Sequence, residues 1–301
     1  MTIRIHLGAH KTATTELQHA IQRVSGKLAE AGTGYIGPKV LRREDLSFSR
    51  SLVPEKSHAK AVNRLLNEFS SWLGSHDNHL LSEENIIGTT SRGFVFGKGG
   101  YIYPKAINRL KALLSMLGYP EVELFLAIRD PAQFVTSAYG QQLRAGAAID
   151  ISSYVGRARV SAMSWVPLVQ DLLACPGVTR LVCWRYEDHT VLRPRILGEM
   201  LGPDLAGIVP EATWRHGGIS EAAYRAFVET AMSDLETPVE VLLKGACQAY
   251  PKTAGVPGMK PLRRRVYSLS GRAYALDVKR ISQLEGVTWL APGQVDGQDP
   301  S

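Results

Sequence analysis

Residues 5–21 read IHLGAHKTATTELQHAI, and the class of fold turns on where this stretch changes its period. The apolar run from Ile3 to Leu7 closes at Gly8 and marks a short strand. Leu17, Ala20, Ile21, Val24 and Leu28 then recur at helical spacing, up to the glycines of AEAGTG. A loop between a strand end and a helix start aims backbone N–H groups outward, and the helix dipole adds partial positive charge. Lys11 adds a full charge, and the hydroxyls of Thr12, Thr14 and Thr15 are further donors, so the loop suits a tetrahedral anion. A nucleoside-triphosphate loop would read G-x-x-x-x-G-K-[ST]. Here the lysine comes early and no Gly-Lys-Ser/Thr triplet exists to ligate Mg²⁺, which disfavours a strict triphosphate site. The plainer alternative is a helix start capped by Thr14 or Thr15.

The rest of the chain repeats the alternation. GYIGP is a short strand, AKAVNRLLNEFSSWL a helix, and the start of HLLSEENI a second core strand. AINRLKALLSML is a helix, EVELFLAIRDP a strand ended by proline, and AQFVTSAYGQQLRAG a helix. WVPLVQDLLAC and VTRLVCWRYED add one more of each, and YALDVKRISQLEGVTWL reads as a closing helix and terminal strand. This order predicts an α/β, P-loop-containing fold: a doubly wound central parallel sheet flanked by helices, with a helical C-terminal extension. One domain is expected over 1–301, with a core to about residue 192, the extension over about 193–290 and a disordered tail over 291–301. The glycine-rich stretch GTTSRGFVFGKGGYIYP, residues 88–104, is read as a surface loop, with a lid or substrate wall as the alternative.

Composition narrows the partners. At 301 residues and 45% hydrophobic the chain builds a sizeable core, and a net charge of +7 suggests an anionic ligand, an acidic polymer or a membrane surface. The single dense basic run, Arg263 to Arg265, has no interleaved aromatic module, so nucleic acid is not expected. Cys175, Cys183 and Cys247 form neither a metal spacing nor an even disulfide set, which favours a reducing compartment. No signal-type segment opens the sequence and no apolar run nears the roughly 18 residues of a bilayer span, so the expectation is cytoplasmic, with no transmembrane segment.

HKTATT resembles the 5′-phosphosulfate loop of sulfotransferases, which use 3′-phosphoadenosine 5′-phosphosulfate (PAPS). Bacterial and carbohydrate-directed members often read H-K-T-G-T-T after a first strand, and Ala13 stands here in place of that glycine. The resemblance implies nucleotide contacts from His10, Lys11, Thr12, Ala13, Thr14 and Thr15. The family also binds the 3′-phosphate with an arginine at the end of a later strand and a serine eight residues on. LAIRDPAQFVTSAY supplies Arg129 and Ser137 at that spacing, and a guanidinium fork suits phosphate oxygens on its own chemistry. LVCWRYEDH resembles the late strand that ends in Y-E-D, which implies a contact between Tyr186 and the base. The family tryptophan that packs on adenine would fall at Glu16, and the late R-K-G stretch is missing; Arg263 to Arg265 match it only in charge.

Sulfuryl transfer needs a cation at the bridging oxygen and a base for the acceptor proton. Lys11 is the candidate for the first role. LLSEEN puts Glu83 and Glu84 at a strand end; bacterial relatives often read S-x-E there, which selects Glu84 as base, with Glu83 and His10 as rivals. Strand alternation would turn only one of the two glutamates into the cleft. The reading is thus a sulfotransferase moving the sulfuryl group of PAPS to a hydroxyl or amine on a saccharide or a small-molecule or lipid alcohol, with adenosine 3′,5′-bisphosphate as product and no metal required. For the acceptor, Arg92, Lys98 and Arg144 suit an acidic saccharide, while Phe94, Phe96, Tyr101 and Tyr103 suit an aromatic or lipid alcohol. The alternatives are a divergent P-loop kinase and an inactive nucleotide-binding member of the fold.

Overall fold

The computed structural model describes residues 2–53, 59–211 and 217–293, so most of the expected tail, 294–301, lies outside the described residues. Six strands form one all-parallel sheet: β1 Thr2–His6, β2 Thr33–Ile36, β3 Asn78–Ser82, β4 Val122–Ile128, β5 Val178–Arg185 and β6 Val287–Leu290, in the spatial order β2-β3-β1-β4-β5-β6. The helices of six residues or more are α1 Thr14–Arg23, α2 Ser25–Glu30, α3 Ala59–Leu73, α4 Ala106–Met116, α5 Pro131–Arg144, α6 Val166–Leu173, α7 His189–Leu201, α8 Glu221–Ser233, α9 Val239–Ala249 and α10 Arg264–Ile281.

The period-two pattern of the strands builds a core on each face. Ile3, Ile5, Leu81, Leu124, Leu126, Ile128, Leu181 and Cys183 face one way, onto α3, α4, α5, α6 and α10. Leu80, Phe125, Ala127, Val182, Trp184 and Leu290 face the other, onto α1, α2 and α7. Strands buried on both faces read as near-continuous apolar runs, which is why β4 has no polar residue after Glu123. Truncating a fully buried member such as Leu124 to alanine costs about 2–5 kcal/mol.

The strand order places the site. From β1 the chain moves out to β2 and back to β3, then crosses to β4 on the other side of β1 and continues outward to β5 and β6. Order reverses between β1 and β4, and in open α/β sheets ligands bind beyond the carboxyl ends at such a point. His6 pairs in register with Ser82 of β3 and Phe125 of β4, so the chain leaves these neighbouring strands side by side.

Two expectations need correction. The helix expected from the opening loop to Leu28 is two helices, broken at Val24, where the Ser25 hydroxyl donates to the Gln22 carbonyl at 3.0 Å and starts a second turn system. The 88–104 stretch is a packed segment and neither a plain surface loop nor a free lid. It folds into a turn of helix at Arg92–Val95, bridges Phe96 to Ile102, and buries Val95, Ile102 and Tyr103 completely. The closing helix and strand are present, although α10 begins earlier, at Arg264, and its cap is Arg263.

Beneath the site, His6 hydrogen-bonds the Ser82 hydroxyl at 2.8 Å and stacks near Trp184, and burial pushes its pKa down to about 4. Below the ordinary histidine pKa of about 6.5 the unfolded chain takes up a proton that the folded state refuses. Stability is therefore expected to fall by up to about 3 kcal/mol as pH drops from about 6.5 toward 4, and urea titrations of His6→Gln should lose a measurable part of that slope.

Candidate active site

The loop after β1 is bent by three residues of positive φ: Gly8 (44°), Lys11 (66°) and Ala13 (64°). Gly8 is required twice over, because a Cβ there would also lie 2.3 Å from the Thr14 hydroxyl. Left-handed conformations at Lys11 and Ala13, two residues apart, curl successive N–H groups toward one side, in the manner of an anion-binding nest. Among the described residues, the main-chain N–H groups of Lys11 to Thr15 donate to no carbonyl, and Ala13 caps α1 without a side-chain bond. Capping by Thr14 or Thr15, the plainer alternative, is thus not what starts the helix. The hydroxyls of Thr12 and Thr14 also turn inward, donating to the Ala9 carbonyl at 2.5 and 3.3 Å, and only Thr15 keeps a free one. The loop's open donors are therefore mainly backbone.

The side chains around it converge from neighbouring strands. Arg129, just beyond β4, donates to the Lys11 carbonyl at 2.9 Å, and its guanidinium lies 4.4 Å from the ring centre of Tyr186, just beyond β5. The Trp165 indole holds the Arg129 carbonyl at 2.7 Å. Asp130 then caps α5 through the Gln133 amide, with Pro131 in the first turn. Along α5, Ser137 is half-buried with no hydrogen bond to the described protein, and Gln141, one turn further on, accepts from Lys11 Nζ at 3.4 Å. Residues four apart share a helix face, so Ser137 is presented on the side of the opening loop. Burial, then the like charges of Arg144 and Arg129, hold the Lys11 pKa below its ordinary value, with Glu84 opposing. Lys11 and Arg129 thus lie beside a run of N–H groups with no partner among the described residues, and Arg144, at the end of α5, acts on Lys11 through its charge.

On the other side of β1 the strand stops at Ser82, so alternation does not govern the two glutamates. Glu83 caps a single turn that starts at Glu84, and both carboxylates meet Arg42. Arg42 binds Glu83 with a fork (2.9 and 2.8 Å) and Glu84 at 2.7 Å, while Gln18 of α1 donates to Glu84 at 2.9 Å. Burial alone would raise the Glu84 pKa, but Arg42 foremost, with His10 and Gln18, carries it below the usual carboxylate value. Burial raises that of Glu83.

His10 is packed into the loop's underside. Its ring meets the Tyr103 hydroxyl at 2.7 Å and Asn85 at 3.4 Å, its backbone N–H also reaches Tyr103, and burial lowers its pKa. Glu16, where the family tryptophan would stand, accepts from His189 at 3.1 Å and Arg193 at 2.9 Å. The aromatic residues of 88–104 are largely spent on packing: Tyr103 under His10, Phe94 against Lys105 and Arg109, Phe96 against Tyr154, and Tyr101 bonded to Asp171. Arg263 to Arg265 lie exposed at the start of α10.

Arg42, Gln18 and Gln141 escape sequence reading, and Tyr103, read there as an acceptor-side aromatic, is instead buried against His10. Only Gln18 carries a signal, as a polar residue set among the apolar positions Leu17, Ala20 and Ile21.

No family model matches this chain, and no curated protein does. A solved sulfotransferase from Alicyclobacillus acidocaldarius is similar over 81% of this chain and 96% of its own, at 12% identity and a TM-score of 0.42. A likeness at that level gives no residue of this chain a role.

A left-handed non-glycine residue costs roughly 1–2 kcal/mol, partly offset by the greater freedom that glycine has in the unfolded chain. Ala13→Gly is therefore expected to raise stability by up to about 1 kcal/mol, and Gly8→Ala to lower it by more than about 2 kcal/mol, both read as shifts in the urea midpoint.

Proposed function

We propose that this protein is a PAPS-dependent sulfotransferase. The observation that carries the reading is the run of N–H groups over residues 11–15 that have no partner among the described residues, with Lys11 and Arg129 beside it, at the point where strand order reverses. That arrangement suits a twice-phosphorylated ligand better than a single anion, because the cations come from both the opening loop and the end of β4. His10, Thr12, Ala13 and Thr14 would shape the loop, with its backbone as the 5′ cradle and Thr15 as an added donor. Arg129 and Ser137 would read the 3′-phosphate, and Tyr186, whose ring lies under the Arg129 guanidinium, would border the base.

PAPS supplies an activated sulfuryl group on a mixed anhydride, with adenosine 3′,5′-bisphosphate as its leaving portion. The chain's part is electrostatic and positional. Lys11 Nζ stands beside the loop, where it can offset charge on the oxygen that parts from sulfur. Glu84 takes the acceptor proton; two of its four acceptor positions are occupied, by Arg42 and Gln18, so capacity remains. The acceptor would enter along the cavity of about 420 Å³ that Leu41, Arg42, Phe48, Arg50, Glu83 and Asn85 help to line, next to the turn that carries Glu84. The single-domain organisation, with core and helical extension working as one unit, belongs to the same proposal.

Release of adenosine 3′,5′-bisphosphate from PAPS with water as acceptor tests the reading without a known acceptor. The parent is expected to release it, Lys11→Ala to lose about 10²–10³-fold, and Glu84→Gln to lose about 10²-fold or more. Binding without release would mark an inactive nucleotide binder, and turnover of Mg-ATP instead would favour a kinase.

A further inference from the structure

The two adjacent carboxylates differ in how much of their bonding capacity is spent. Glu83 is fully buried and receives four donors: Arg42 Nε, Arg42 Nη2, the Asn85 main-chain N–H and the Asn85 side-chain amide, at 2.6–3.0 Å. Three of these donors converge on Oε1 and one reaches Oε2, so Glu83 is the more heavily engaged of the two carboxylates. Glu84 receives two, from Arg42 and Gln18. The Arg42 side chain is 47% exposed, so its outer edge lines the cavity while its inner edge holds both acids.

We propose that Arg42 is the positioning residue for Glu84, and that Glu83 is the anchor of Arg42, not a rival base. The fork to Glu83 fixes the guanidinium in its plane, and the remaining bond fixes one oxygen of Glu84 and keeps it ionised. Glu84 is also within electrostatic reach of His6, His10 and Lys11 of β1 and its loop, of Tyr35 of β2 and of Tyr103. Burial pushes both tyrosine hydroxyls up and both histidines down, His6 to about 4. The inference rests on Glu84 being the base.

The pH profile of bisphosphate release from PAPS tests it. A base must be ionised, so the rate falls as pH drops through the Glu84 pKa. In Arg42→Gln the two carboxylates keep their burial and mutual repulsion but lose their cation, and the acid limb is expected to move up by one pH unit or more. Arg42→Lys, which keeps the charge without the fork and perturbs folding less, should return the limb toward the parent's while the maximal rate stays about tenfold down. Glu83→Gln should slow the reaction about tenfold, keep an acid limb and leave bisphosphate binding unchanged. If both Arg42 variants lose rate with the limb in place, the residue is merely structural and the proposal is overturned. If Glu83→Gln abolishes the limb, Glu83 is the base and the proposal is wrong. Glu84→Gln separates the layers: the parent's rate there would remove the base assignment itself, whereas a lost rate beside unmoved Arg42 profiles would remove only the role of Arg42.

Discussion

One hydrogen bond pins the opening loop to the end of β4 at the point where a ligand would sit: Arg129 Nη1 donates to the carbonyl of Lys11 at 2.9 Å. That carbonyl belongs to a residue with φ of 66°, a conformation that lysine does not adopt without support. The bond stabilises it, the inward hydroxyls of Thr12 and Thr14 brace the preceding turn through Ala9, and Tyr103 closes the loop from below through His10. Strain of this kind persists only where surrounding contacts over-determine it, and here three separate elements do so. The product is a loop whose N–H groups face outward with no partner among the described residues.

The same economy governs charge. The side chains of the site are distributed over the ends of β3, β1, β4 and β5, which are consecutive in the sheet, so an acid, a lysine, an arginine and an aromatic ring come together without a long loop. Cations face the side of β1 toward β4, and the paired glutamates face the side toward β3. Arg42 offsets those glutamates locally, and without it the fully buried Glu83 would be an uncompensated charge of the kind that costs several kcal/mol.

The sheet is legible in the sequence because strands buried on both faces and amphipathic helices carry distinct periods; the α3 boundaries, Ala59–Leu73, can be read from AKAVNRLLNEFSSWL alone. Lys11, Arg129 and Glu84 are also legible, since each lies within a few residues of a strand end. Less legible is everything that depends on distant pairing. Arg42 lies in a stretch of short turns with no periodicity, and nothing local shows that it meets Glu83 and Glu84 some forty residues on. Alternation does not separate the two glutamates because β3 ends at Ser82, one residue before it would apply. Glycine content likewise suggests a surface loop over 88–104, whereas Tyr103 and Ile102 bury that segment in the core.

Two phosphate positions, on this account, are read by two parts of the chain: the loop of residues 11–15, and Arg129 with Ser137. Calorimetric binding of adenosine 3′,5′-bisphosphate against 5′-AMP and Mg-ATP, in the parent and in Arg129→Ala, tests it most directly. The bisphosphate should bind at least about tenfold more tightly than 5′-AMP, a preference of about 1.4 kcal/mol or more, and the variant should lose that preference. Equal or tighter binding of Mg-ATP by the parent, or an unchanged preference in Arg129→Ala, would contradict the account.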